Sequence, residues 1–263
     1  MIRIAAVGDL HADRSTAPRW RAALAPSRHE ADVLLLAGDL TQDGEPGQAH
    51  ALADALCDLG LPIVAVLGNH DVDRDRADAV RKALEGHGVV VLDGEAIAID
   101  TRDGRLGIAG TKGFGGGFDA ARASDFGEPE MKAFVRAARV SAESLERALR
   151  AVPAPRVALL HYAPCHATLV GEAPGVVPFL GSQLLEEAVD RTHTALAVHG
   201  HAHSGRELGR TRGGVPVRNV ARPVIGRAYR VYCLPGGDEC PSRAPAAPPP
   251  GDLPRDAPRA SPR

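Results

Sequence analysis

Short apolar runs alternate along the chain with polar clusters, and the runs stop in the same way. Ile2–Val7 ends at Gly8-Asp9-Leu10-His11, Val33–Ala37 at Gly38-Asp39, and residues 63–67 at Gly68-Asn69-His70-Asp71. Further on, 157–160 ends at His161 and 195–198 at His199-Gly200-His201-Ala202-His203. Continuous apolar runs of this length predict strands buried on both faces, the habit of parallel sheets. Between them, 18–29, 46–59 and 76–86 predict helices. The second has Pro46 near its first turn and Gly60 just past its end, the expected start and stop asymmetry. The first half thus reads β-α-β-α-β.

Shorter strands are predicted at 89–92, 96–100 and 106–109, with Asp103-Gly104 turning between the last two. A Gly-rich stretch, 113–118, follows. It is not a dinucleotide fingerprint, because Phe118 occupies the third glycine position, and it reads as a flexible connector rather than a flap over a substrate. Residues 128–152 predict a long helix whose alternating charges suggest a solvated face. Closing antiparallel strands are expected at 206–208, 215–220 and 227–234. From Pro235 the chain is rich in Pro, Ala and Arg without apolar period, so residues 1–234 are expected to form one domain and 235–263 a disordered tail.

Composition narrows the function classes. A formal net charge of -2 gives no electrostatic reason for a nucleic acid or an anionic membrane as partner. Basic positions are nearly all Arg, with Lys only at Lys82, Lys112 and Lys132. Cys57, Cys165, Cys233 and Cys240 form no CxxC pair, and neither a zinc knuckle nor a disulfide framework is indicated. The first strand is too short for a signal segment, and no run is long enough to span a bilayer; a cytoplasmic protein is expected.

In an open α/β sheet the loops at the carboxyl ends of the strands converge on one crevice. The strand ends named above would therefore gather Asp9, His11, Asp39, Asn69, His161, His201 and His203, a mixture of carboxylate, amide and imidazole donors suited to two divalent or trivalent transition ions, Mn, Fe or Zn. Asp39 is the natural bridge, since a carboxylate has two oxygens. Such a pair of ions clamps a phosphoryl oxygen and lowers the pKa of a shared water, whose hydroxide attacks phosphorus in line. His70 follows a ligand directly and is suited to general-acid catalysis, with Asp71 accepting its other ring N–H. His199 is expected to face the core, and Asp13 and Asp43 to serve turns. Arg14 and His166 lie near ligands in sequence, with surface roles at least as good as contact with phosphate.

In order, Asp9-Leu10-His11, Gly38-Asp39, Gly68-Asn69-His70-Asp71, His161 and Gly200-His201-Ala202-His203 resemble the motifs of the calcineurin-like metallophosphoesterases, over a stretch from about Ile2 to Asn219. The resemblance implies a four-layer α/β/β/α sandwich of two mixed β-sheets flanked by helices, with a dinuclear site at the strand ends. It also implies a division of ligands: Asp9, His11, Asp39 and His203 on one ion, and Asp39, Asn69, His161 and His201 on the other. Gly38-Asp39-Leu40-Thr41-Gln42-Asp43-Gly44 is most similar to the bacterial branch holding the class III cyclic-nucleotide phosphodiesterases. The expected function is hydrolysis of small phosphodiesters or phosphomonoesters. The competing readings are a nuclease on single strands, disfavoured by charge and by the lack of a capping segment after Leu234, and a metal-bound scaffold without catalysis. The chain also lacks an obvious C-terminal dimerisation segment, and its oligomeric state is left open.

Overall fold

A computed structural model describes residues 1–241. Its first half contains β1 (Ile2–Val7), α1 (Ala17–Leu24), α2 (Ser27–Glu30), β2 (Val33–Ala37), α3 (Pro46–Leu56), β3 (Ile63–Val66), α4 (Ala77–Glu85), β4 (Val90–Val91), β5 (Glu95–Thr101) and β6 (Gly104–Thr111). There follow α5 (Pro129–Ala151), β7 (Arg156–Leu160), α6 (Val177–Leu180), α7 (Gln183–Arg191), β8 (Leu196–His199), β9 (Leu208–Arg210), β10 (Pro216–Asn219), α8 (Arg222–Ile225), β11 (Arg230–Leu234) and β12 (Asp238–Glu239).

The strands form two six-stranded sheets, ordered β12-β11-β1-β2-β3-β4 and β5-β6-β7-β8-β10-β9. Each is mixed. In the first, β1 to β4 run parallel and β11 and β12 close one edge antiparallel. In the second, β6, β7, β8 and β10 are parallel, with β5 and β9 antiparallel at the edges.

Side chains on a strand alternate between faces, and here both faces are buried. Ile4, Ala6, Val33, Leu35, Val64 and Val66 point between the sheets, where they meet Ile108, Val157, Leu159 and Val198 of the other sheet. Their neighbours Ala5, Val7, Leu34, Leu36 and Ala65 pack outward with Leu24, Leu52, Leu56, Val80 and Leu84 of α1, α3 and α4. On the far side, Ala158, Leu160 and Ala197 pack with Leu145, Leu149, Leu185 and Val189 of α5 and α7. The result is the expected order of layers: helices, sheet, sheet, helices.

Several expectations are corrected in detail. The helix expected over 18–29 is two helices, α1 and α2, broken at Ala25-Pro26, because proline cannot donate to the preceding turn. The charged helix α5 is not simply a solvated face, since Ala138, Ala142, Leu145, Ala148 and Leu149 form a buried stripe along it. Helix α7 is an element the apolar runs do not announce; Ser182 caps it, its hydroxyl accepting the Leu184 N–H at 3.2 Å. Within the stretch expected as tail from Pro235, Asp238–Glu239 pairs with β11 as a strand. Contrary to the cysteine reading, Cys233 and Cys240 are joined in a disulfide across that pairing. The rest of the expected tail, 242–263, lies outside the described residues. No helix among the described residues is long and apolar enough to cross a membrane.

Leu35 is fully buried between the sheets. Leu35→Ala is expected to lower stability by about 2–5 kcal/mol, read as a fall in the urea midpoint. An unchanged midpoint would contradict the two-sheet core.

Candidate metal centre

The site is made where parallel strands end. Beyond β1 and β2 the two chains stay side by side: Asp9 N–H donates to Gly38 O, His11 N–H to Asp39 O and Ala12 N–H to Leu40 O, each at 2.9 Å. To turn their side chains into the crevice, Asp9, His11, Asp39 and His201 adopt φ of 59°, 44°, 49° and 70°. That left-handed region is unfavourable for residues with a Cβ, and such outliers gather at functional sites. Glycines leave the room. Gly38, at φ 79°, lies where a Cβ would meet the His161 ring, and a methyl on Gly68 would overlap the Asp39 carboxylate.

Asp39 stands at the centre, almost fully buried. Its Oδ1 accepts the His70 N–H at 2.8 Å and lies 3.4 Å from His161 Nε2. Its Oδ2 is 3.8 Å from His11 Nε2 and 3.9 Å from His70 Nε2. On one side, Asp9 Oδ1 lies 2.8 Å from His203 Nε2. On the other, His161 Nε2 lies 2.9 Å from Asn69 Oδ1, and the His161 and His201 rings are 4.7 Å apart. Three overlapping groups, Asp9/His11/His203, His11/Asp39/His70 and Asp39/His161/His201, each bring their donor atoms within 4.8 Å of one another. Every residue predicted as a ligand is thus gathered in one crevice.

The charge balance fits metal cations. Asp9, Asp39 and Asp71 are buried together, and among the described residues no Lys or Arg forms an ion pair with any of them. Burial, then repulsion from Asp9 and Asp71, pushes Asp39 well above the usual carboxylate range. Burial opposes the charge on Asp9 too, but the His203 hydrogen bond and the surrounding imidazoles outweigh it and hold its pKa low. Burial lowers His161 well below the usual imidazole range and His201 to about 4, so both are neutral with a lone pair to offer. The His161 Nδ1–H donates to Ala37 O at 2.9 Å, which leaves Nε2 as the donor atom facing Asp39.

A family profile for calcineurin-like phosphoesterases matches residues 2–205. The chain belongs to the calcineurin-like phosphoesterase family. It is similar to a protein from Synechococcus sp. described as a probable cyclic nucleotide phosphodiesterase, 38% identical over 82 residues, which is 28% of this chain and 32% of that protein. The match therefore spans about a third of that relative's length. In fold it is similar to phosphopantetheinyl hydrolase from Mycobacterium tuberculosis, at a TM-score of 0.65 and 17% identity, covering 91% of this chain and 98% of that one. A protein from Thermus thermophilus aligns at a TM-score of 0.54 and 17% identity, covering 90% and 96% of the two chains.

Within this site several expected roles change hands. Asp71 does not touch the His70 ring. Its carboxylate accepts the Leu40 N–H at 3.1 Å, the Thr41 N–H at 2.8 Å, the Thr41 hydroxyl at 2.6 Å and the Gly68 N–H at 2.8 Å. It is a clamp between the loops after β2 and β3. The orienter of His70 is a backbone group, the Gln42 carbonyl, which accepts from Nδ1 at 2.8 Å and turns Nε2 toward Asp39. No side-chain pattern signals that partner.

His199 faces the core as expected, bonded to Gly200 O at 2.7 Å and to the Thr168 hydroxyl at 2.8 Å. Asn219, which sequence reading passed over, is fully buried; its amide donates to Ala202 O at 2.7 Å and so braces the loop between His201 and His203. Asp13 caps the turn at Ser15 and Thr16, and Asp43 pairs with Arg74 at 2.6 Å. Arg14 pairs with Glu45 at 3.1 Å, and the His166 ring rests 6.0 Å from that of Phe118. The 113–118 stretch is not a flexible connector: Gly117 N–H donates to Gly181 O at 3.0 Å, Gly116 N–H to Pro178 O at 2.8 Å, and Phe118 is buried.

Asp71→Asn puts an amide donor where the Asp71 carboxylate now accepts these N–H groups, and is expected to lower stability by about 1–3 kcal/mol in urea unfolding. The His70 Nδ1–H signal in NMR should persist, because Gln42 holds it. Loss of that signal without loss of stability would return the orienting role to Asp71.

Proposed function

We propose that the chain is a dinuclear metal-dependent phosphoesterase acting on small phosphodiesters or phosphomonoesters. The observation that carries this reading is the placement of Asp39, with one oxygen turned to His161 and the other to His11 and His70. Asp9, His11, Asp39 and His203 would hold one ion, and Asp39, Asn69, His161 and His201 the other, in keeping with the overlapping donor groups. Mixed oxygen and imidazole donors admit Mn, Fe or Zn. When bound, such ions supply Lewis acidity toward a phosphoryl oxygen and lower the pKa of a shared water.

The protein's own groups do the rest. His70, with Nδ1–H committed to Gln42, presents Nε2 to the crevice; protonated there, it can give its proton to the departing alkoxide. Asp71 serves by fixing the loops that carry Asp39 and Asn69, not by contact with the reacting atoms. The likeness to a probable cyclic nucleotide phosphodiesterase favours phosphodiesters as the first substrates to test. The near-balanced charge argues against nucleic acid as substrate. A cytoplasmic setting belongs to the same proposal, and the Cys233–Cys240 bond pulls against it, because such bonds persist mostly in oxidising compartments.

Purified protein reconstituted with Mn, Fe or Zn should hydrolyse aryl phosphodiesters or phosphomonoesters. Asp39→Ala should lose both metal and turnover. His70→Ala should keep its metal content and lose turnover by about 10²–10⁴-fold. Full activity in either variant would end this account, and a His70→Ala protein stripped of metal would make His70 a ligand instead.

A further inference from the structure

Lys112 stands one residue past the carboxyl end of β6, on the strand next to β7. Its carbonyl accepts the N–H groups of both His161, at 3.2 Å, and Tyr162, at 3.0 Å. The residue is therefore tied to the very turn that carries a proposed ligand. Its ammonium nitrogen lies 5.1 Å from the centroid of the Phe114 ring and 5.1 Å from that of Tyr162. Phe134 backs Phe114 at 5.1 Å, and Tyr162 in turn lies 4.4 Å from the His201 ring. This aromatic cage fixes a cation at the rim of the metal centre.

The cation has little else to satisfy it. Its one hydrogen bond is long, 3.4 Å to Gly113 O, and among the described residues no carboxylate lies within ion-pair distance. Asp93 and Asp39 feel its charge only at longer range. A half-buried ammonium without a counter-ion is costly unless an anion completes its surroundings. The site it borders is the place where the ester phosphate would sit.

We infer that Lys112 is a substrate-binding residue that receives a non-bridging phosphoryl oxygen, held in place by the faces of Phe114 and Tyr162. This rests on the crevice being a phosphate site, as proposed above. It assigns a function to the 113–118 segment as well, since burial of that segment is what sets Phe114 beside the ammonium.

Inorganic phosphate is the probe. Calorimetric titration of metal-loaded protein should show phosphate binding about tenfold weaker or more in Lys112→Met, the scale of one charge-assisted hydrogen bond. Lys112→Arg should recover most of the affinity, and metal content should match in all the proteins. With ester substrates, Lys112→Met should raise KM more than it lowers kcat.

A second measurement needs no variant. With lysines only at Lys82, Lys112 and Lys132, phosphate should protect Lys112 alone from amine acetylation, followed by mass spectrometry. Equal phosphate affinity in wild type and Lys112→Met, or unprotected acetylation of Lys112, would overturn the inference. A wild type that binds phosphate through Lys112 but cleaves no ester would sink the enzymatic reading and leave this one standing. Ester cleavage with no dependence on Lys112 would do the reverse.

Discussion

Everything near the crevice answers to one demand: a carboxylate buried in the protein interior must have partners for both its oxygens. The protein's own groups meet it only in part for Asp39: the His70 N–H donates to Oδ1, while the His161, His11 and His70 rings stand 3.4, 3.8 and 3.9 Å from its two oxygens. Among the described residues the usual Arg or Lys partner is missing, so the remaining charge falls to whatever cations the imidazoles and Asp9 can help to hold. The backbone bends to the same demand. Asp9, His11, Asp39 and His201 all take left-handed φ values, and Gly38 and Gly68 keep the adjacent volume open.

The rest of the fold supplies rigidity to that arrangement. Parallel strands buried on both faces can end abruptly in loops without losing their footing, because their hydrogen bonds and apolar contacts lie behind the site. The loops are then tied to one another rather than to solvent: Asp71 joins the segments after β2 and β3, and Asn219 braces the turn after β8. Removing water from such a region raises the value of each hydrogen bond and the cost of each unpaired group. The left-handed residues of the site are held by the sandwich beneath them.

Much of this was legible in the sequence, and the reason is periodicity. Val33 to Ala37 is apolar at every position because one face meets the second sheet and the other meets α1, α3 and α4. The polar break at Gly38-Asp39 then marks both the strand end and the site. The less legible parts obey other rules. Helix α7 lies under a weakly apolar stripe of Leu185, Ala188 and Val189, whose partners in α5 are distant in sequence. The pairing of Cys233 with Cys240 depends on a hairpin register that a spacing of seven residues does not reveal. The segment 113–118 has the glycines of a loose connector, yet those glycines serve close packing against Pro178, Phe179 and Ser182.

The misassigned roles share a cause. Asp71 follows His70 in sequence, and adjacency suggested that one would orient the other. Three consecutive residues in a tight turn, however, point in three directions, and a short helical turn over His70–Val72 sends the Asp71 side chain back beneath the loop. The group that does hold His70 is a carbonyl from a different strand end, and carbonyls carry no residue code. The place of Lys112 is hidden in the sequence for the complementary reason: nothing beside it in sequence is a ligand, and only the register of β6 with β7 brings it to His161. Residue types announced the chemistry of this centre. The partners that aim those residues are set by register and turn geometry, and these appear only when the strands are laid side by side.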